Sequence, residues 1–191
     1  MSSELGVRPR EPLPIVILIS GRGSNMQAIA ERAMAGMLPV RIVAVISDKS
    51  EAPGLRLAAA LGLKTCVLSP REYPNRESYD LALADLVASF APELVVLAGF
   101  MRILTPNFID RFTGRILNIH PSLLPKYRGL HTHRRVLEAQ ECEHGVSVHF
   151  VTLELDGGPL IMQSCIDVTA SGTEASLSAR VQRQGHRIYS Q

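Results

Sequence analysis

The sequence predicts an α/β fold: a mostly parallel, doubly wound sheet with helices on both faces and an antiparallel strand pair near the C-terminus. Three observations predict it. The run Ile15-Val16-Ile17-Leu18-Ile19 is continuous and largely β-branched, as a strand covered on both faces requires. Strand-like and helix-like segments alternate after it, and right-handed crossovers turn such alternation into a parallel sheet. Beyond Pro121 the alternation gives way to two strand patterns separated by a Gly-Gly-Pro turn, the arrangement of an antiparallel pair.

Residues 1–14, rich in Pro, read as a flexible leader ahead of the first strand at 15–19. Met26, Ile29, Ala30, Ala33, Met34 and Met37 then recur with helical spacing and predict an amphipathic helix. Residues 41–47 read as strand, 53–61 as helix and 65–68 as strand, and Tyr79, Leu83, Leu86, Val87 and Phe90 stripe a further helix. Residues 94–98 and 115–120 are strands, with Thr105-Pro106 between them as an N-cap followed by Pro at the first helical position. A loop punctuated by Pro and Gly runs to Leu130, a helix covers 133–140, and Val146, Val148 and Phe150 alternate with polar neighbours as in a half-exposed strand. Residues 160–168 form its partner, and a closing helix spans 173–189. No linker divides the chain, so 1–191 is expected to be a single domain.

Composition removes several classes of function. With 20 Lys+Arg against 18 Asp+Glu, the net charge of +2 is too small for a field that captures nucleic acid or anionic membrane. No apolar run reaches a membrane-spanning length. Three scattered cysteines, Cys66, Cys142 and Cys165, fit reduced thiols in the cytoplasm better than a disulfide framework.

The turn Ser20-Gly21-Arg22-Gly23-Ser24-Asn25 joins a strand to a helix, which places backbone N–H groups and a helix N-terminus at the sheet's carboxyl edge. That favours an anion. Met26 stands where a dinucleotide fingerprint needs a third Gly, and no Gly-Lys-Ser/Thr follows, so a mononucleotide-sized phosphate fits better than NAD or ATP. A plain capped turn is the competing reading.

Asn118 and His120 lie two apart on a strand and share a face, with Pro121 ending the strand beyond them. An amide donor beside an imidazole suits an oxyanion and a proton transfer. Asp156, in its Gly-Gly-Pro turn, is the carboxylate that could orient the imidazole. His131, His133, Cys142, His144 and His149 lack metal-ligand spacing, so no metal is expected; Arg134-Arg135 reads as a solvated helix face and Cys142 as a passive thiol.

Four segments carry a resemblance: Ser20-Gly21-Arg22-Gly23-Ser24-Asn25, Ala98-Gly99-Phe100-Met101-Arg102-Ile103-Leu104, Asn118-Ile119-His120-Pro121-Ser122-Leu123-Leu124-Pro125, and Leu155-Asp156-Gly157-Gly158. In this order and spacing they resemble the phosphoribosylglycinamide formyltransferases, folate-dependent enzymes of purine synthesis. The resemblance runs from Ile15 to Tyr189 and implies a Rossmann-like, formyltransferase-type fold. It implies transfer of a formyl group from 10-formyltetrahydrofolate, as co-substrate, to the amine of glycinamide ribonucleotide. Asn118, His120 and Asp156 match the family's catalytic trio, and Gly23, Ser24 and Asn25 its phosphate segment, with Gln182 on the ribonucleotide side. Arg76, Met101, Arg102, Ile103 and Leu104, together with Asn118, match the folate site. The implied partners are these small molecules, with neither nucleic acid nor membrane, and a homodimer as the oligomeric option.

The chain departs from the family at Gln184-Gly185-His186, where members usually have Glu at the middle position, and it stops at Gln191 where members usually continue. Two other readings stay open at this point. Methionyl-tRNA and nucleotide-sugar formyltransferases share the Asn-x-His-x-Ser-Leu-Leu-Pro core but generally carry a further domain. A non-catalytic binder of a phosphate ligand on the same fold would keep the Gly-rich turn without turnover.

Overall fold

A computed structural model describes residues 11–169 and 172–191. The first ten residues of the expected leader lie outside that range. Leu13 and Pro14, counted with the leader, instead open the first strand: the Leu13 amide donates to the Pro39 carbonyl at 2.9 Å, and the Pro14 carbonyl accepts from Glu93 at 2.9 Å. Proline is tolerated at a strand's start, so its presence does not delay the strand.

In chain order the elements are β1 (Leu13–Ile19), α1 (Ser24–Met34), β2 (Val40–Ser47), α2 (Pro53–Ala60), β3 (Thr65–Val67), α3 (Arg76–Ala88), β4 (Leu94–Leu97), α4 (Pro106–Arg111), β5 (Ile116–His120), α5 (Thr132–Glu138), β6 (Glu143–Phe150), β7 (Leu160–Asp167) and α6 (Glu174–Ile188). The strands form one sheet in the order β3-β2-β1-β4-β5-β6-β7. Neighbours from β3 through β5 are parallel, whereas β5–β6 and β6–β7 are antiparallel. The doubly wound expectation and its antiparallel end are both met.

Alternate residues of β1 serve two cores. Ile15, Ile17 and Ile19 pack with α1, α2 and α6, while Val16 and Leu18 pack with α3 and α4. That division explains why the strand is apolar at every position. Helix starts follow local chemistry: Pro53 and Pro106 occupy first turns, the Asn75 side chain accepts from the Ser78 amide at 2.9 Å, and Thr173 and Ser176 form a reciprocal capping box.

Two expectations need correction. Met34 and Met37 do not join the buried face of α1, being 66% and 60% exposed; the helix ends at Met34, and only Met26, Ile29 and Ala30 are buried. Strand β6 is not half-exposed, since His144 to His149 are all buried. One of its faces lies under α6 and the other under the segment after β5, where the Leu124 amide donates to Ser147 Oγ at 3.0 Å. That second cover comes from residues distant in sequence, so β6's own polar alternation could not reveal it.

Candidate active site

The chain leaves β1 for β2 on one side of the sheet and later returns to β4 on the other, which makes the β1/β4 boundary the switch point where α/β sheets bind ligands. The Gly-rich turn follows β1. Gly23, with φ of 73°, is the N-cap of α1, and a Cβ there would lie 2.9 Å from Gly54 Cα. Glycine is required by conformation and by space alike. The first intrahelical bond runs from the Gln27 amide to the Gly23 carbonyl, so the amides of Ser24, Asn25 and Met26 are left for a ligand. Gln182 on α6 donates to Ser24 Oγ at 2.8 Å, and Asn25 Oδ1 is buried without a partner among the described residues. Gly23, Ser24, Asn25 and Gln182 are therefore brought together.

At the carboxyl end of β5, Asn118 and His120 share a face, and Asp156 reaches them from its turn with φ of 49°. His120 Nδ1 lies 3.3 Å from Asp156 Oδ2, and its Nε2–H donates to the Tyr127 carbonyl at 2.9 Å. Both ring nitrogens face oxygen acceptors, an arrangement that the doubly protonated imidazolium satisfies in full. Asp156 Oδ2 also accepts from the Gly129 amide at 2.9 Å, and its side chain is only 8% exposed.

His149, considered from the sequence only as a metal candidate, belongs to this group. It pairs directly across from Asn118 in the β5–β6 register. Its Nδ1 faces the Phe150 carbonyl at 2.9 Å and must donate, which leaves Nε2 to accept from Asn118 Nδ2 at 3.3 Å. Burial holds the imidazole below its ordinary pKa, in keeping with this neutral form. His149 Nε2 also lies 3.6 Å from Asp156 Oδ1. The amide of Asn118 is thus oriented, with its second N–H free. The polar face Ser147/His149 was the available signal, but only the strand register connects it with Asn118.

These groups line a cavity of about 690 Å³, within the usual range for a small-molecule site. Met101, Arg102, Ile103 and Leu104 contribute one continuous stretch of its wall, and Leu130, Leu153 and Leu155 add further apolar surface. Arg76, the first residue of α3, does not line it. Cavity residues Leu97, Phe100, Leu104 and Ile109 belong to the α3/α4 core, whereas α1 and α6 belong to the other.

Of the remaining candidates, His131 and His133 also line the cavity. His133 and His144 bond to each other at 2.9 Å, and burial first, then the charges of His133 and His120, pull His144 down to a pKa of about 4. Among the described residues no group of three or more His, Cys, Asp or Glu is disposed to hold a metal. Arg135 is not simply solvated: it donates to the Arg128 carbonyl at 2.7 Å and lies over the Tyr127 ring, bracing the loop above the cavity. Cys142 is exposed.

Residues 13–191 match the formyl transferase family model. The chain is similar to phosphoribosylglycinamide formyltransferase of Escherichia coli, at 52% identity over 92% of this chain and 82% of that protein. Glycinamide ribonucleotide transformylase 1 of Symbiobacterium toebii superposes with a TM-score of 0.94 at 39% identity, covering 100% of this chain and 90% of that one. The phosphoribosylglycinamide formyltransferase of Coxiella burnetii, solved with CHES, gives 0.89 at 48% identity over 94% and 84% of the two chains.

Proposed function

The chain belongs to the formyl transferase family, and on that premise we propose that it transfers the formyl group of 10-formyltetrahydrofolate to the amine of glycinamide ribonucleotide in purine biosynthesis. The single observation that carries the reading is the convergence of Asn118, His120 and Asp156 on the lining of one cavity, with His120 and Asp156 in contact.

The amine attacks the formyl carbon, a C–N bond forms, and negative charge develops on the formyl oxygen. The N–H of Asn118 not used by His149 donates to the formyl oxygen, while His120, its ring nitrogens held by Asp156 and the Tyr127 carbonyl, contributes through its positive charge, which Asp156 stabilises. The attacking nitrogen then gives up a proton, the bond from carbon to the folate nitrogen breaks, and the departing nitrogen takes a proton. Asp156 assists that exchange, a role supported by its contact with His120. Met101 to Leu104 and Leu130, Leu153 and Leu155 receive the flat, partly apolar folate, while Gly23, Ser24, Asn25 and Gln182 hold the ribonucleotide's phosphate side. Arg76 is left for the outer part of the folate, beyond the cavity.

The same reading treats 1–191 as one formyltransferase domain, supported by the single sheet. It places the protein in the cytoplasm, supported by three free thiols; no helix among the described residues is long and apolar enough to cross a membrane. A homodimer, the remaining part of this reading, is supported by the edge strand β7, where Leu160 and Ile161 are exposed, and sedimentation tests it.

The experiment is an absorbance assay of folate conversion with glycinamide ribonucleotide present or omitted. Conversion that requires the ribonucleotide is expected, and His120→Asn should lower turnover by roughly a thousandfold while still binding folate, because the charge it stabilises develops in the transition state. Folate binding with no ribonucleotide-dependent conversion would contradict the reading.

A further inference from the structure

Behind the cavity wall lies a cluster of buried polar groups that the reaction does not use. Asp80 on α3 is 0% exposed, its Oδ2 accepts from the Thr105 amide at 2.5 Å, and its Oδ1 has no partner among the described residues. Asp80 takes part in no ion pair among the described residues. Its neighbour Tyr79, 1% exposed, carries the Arg102 guanidinium over its ring at 4.8 Å. Burial and the Asp48 carboxylate raise the Tyr79 hydroxyl's pKa, Arg102 opposes them, and Asp80 adds to the rise, so the four groups share one electrostatic neighbourhood.

We propose that Asp80 is a positioning residue for the folate cavity, its buried carboxylate fixing the Met101–Leu104 wall through the amide of Thr105. The wall itself is irregular backbone. It is pinned at three points: the Met101 amide donates to Ser20 Oγ at 2.9 Å, Arg102 rests on Tyr79, and Thr105 donates to Asp80. Two of those pins stand side by side on α3. Met101 and Ile103, on either side of Arg102, line the cavity and are 72% and 59% exposed. A carboxylate buried with one hydrogen bond is an expensive way to fill a core position, and an apolar residue of similar size would fill it at lower cost. What the carboxylate adds is a charge-assisted bond to a backbone that has no ladder of its own.

The inference rests on the reading that this cavity takes formyl folate, and Ile103→Ser, made in the wall itself, separates the two. Steady-state kinetics are measured for Asp80→Ala, Asp80→Asn and Ile103→Ser with each substrate varied in turn. Asp80→Ala should raise the KM for folate roughly tenfold and leave the ribonucleotide's KM within about twofold. Asp80→Asn keeps an oxygen for Thr105 and should recover most of the loss. In labelled protein the Thr105 amide proton should shift upfield in the variants, and Asp80→Asn supplies this readout if the alanine variant does not fold. An unchanged folate KM in Asp80→Ala, or an equal rise for both substrates, overturns the proposal while Ile103→Ser still raises the folate KM. If Ile103→Ser has no effect either, the cavity reading falls and takes the proposal with it.

Discussion

His149 shows how one side chain sets the chemistry of another. Its tautomer is fixed by the Phe150 carbonyl, and through Nε2 it fixes the amide of Asn118. His149→Phe keeps a ring but removes the acceptor, so turnover should fall about tenfold with folate binding unchanged, and unaltered turnover in a rapid-quench assay would refute the role. Gly185 poses the opposite case. It sits in α6 without positive φ, and a Cβ there would lie 3.1 Å from Ile119 Cδ1 and 3.9 Å from Asn25 Oδ1. A side chain fits once Ile119 shifts by a few tenths of an ångström. If the Glu usual in the family contacts the ribose, Gly185→Glu should lower the ribonucleotide's dissociation constant by about tenfold without touching folate affinity. Calorimetry giving weaker binding in a folded variant would show that the position serves packing. At this scale Asn118, His120 and Asp156 were legible because their types and spacing name a chemistry; His149 was not, because its role depends on which residue of β5 it faces.

Helix α2 acts on the site without entering it. The Gly54 amide, in its first turn, donates to the Gly21 carbonyl at 2.9 Å, and a Cβ on Gly54 would meet Ile19 Cδ1 at 2.7 Å and Gly21 O at 2.9 Å. The helix therefore backs the Gly-rich turn at a distance only glycine permits. Gly54→Ala should raise the ribonucleotide's KM several-fold and leave that for folate nearly unchanged, in parallel with Gly23→Val, where a β-branched residue would be forced to positive φ. Adding Ile19→Val removes the side-chain clash but not the backbone one. Full rescue by Ile19→Val would mean that only core packing had been disturbed. Elements with a plain pattern, the unbroken apolar run of β1 and the apolar stripe of α3, could be read directly from sequence. The burial of β6 could not, since its cover is a loop from residues 121–126. Nor could the distance of Arg76 from the cavity, because resemblance transfers a residue's identity and not where its helix begins.

Across the whole molecule, His133, His144, His149 and His186 are all held below their ordinary pKa, chiefly by burial. In the unfolded chain such groups titrate near 6.5. As the pH falls below that value the unfolded state takes up protons that the folded state refuses, so stability is full above about 6.5 and declines toward about 4, where His144 protonates. His144 alone could account for up to about 3 kcal/mol of that loss. Urea unfolding at about pH 7.5 and about pH 5 should show the difference, with His144→Gln reducing it; equal stability at both would refute the assignment. The alternation of strands and helices was plain in the sequence, as was the change after Pro121. The adjacency of β1 and β4, which brings turn, trio and cavity wall to one edge, arises only when the sheet closes.

The most direct test of the account is single-turnover formyl transfer with both substrates bound beforehand, comparing the chain with Asp156→Asn. Asp156 touches both imidazoles and the loop amide of Gly129, so the trio stands or falls with it. The account predicts a transfer rate lower by about a hundredfold or more, with folate and ribonucleotide dissociation constants nearly unchanged. A rate within a few-fold of the unmodified chain's, with the variant folded and both ligands bound, would contradict it.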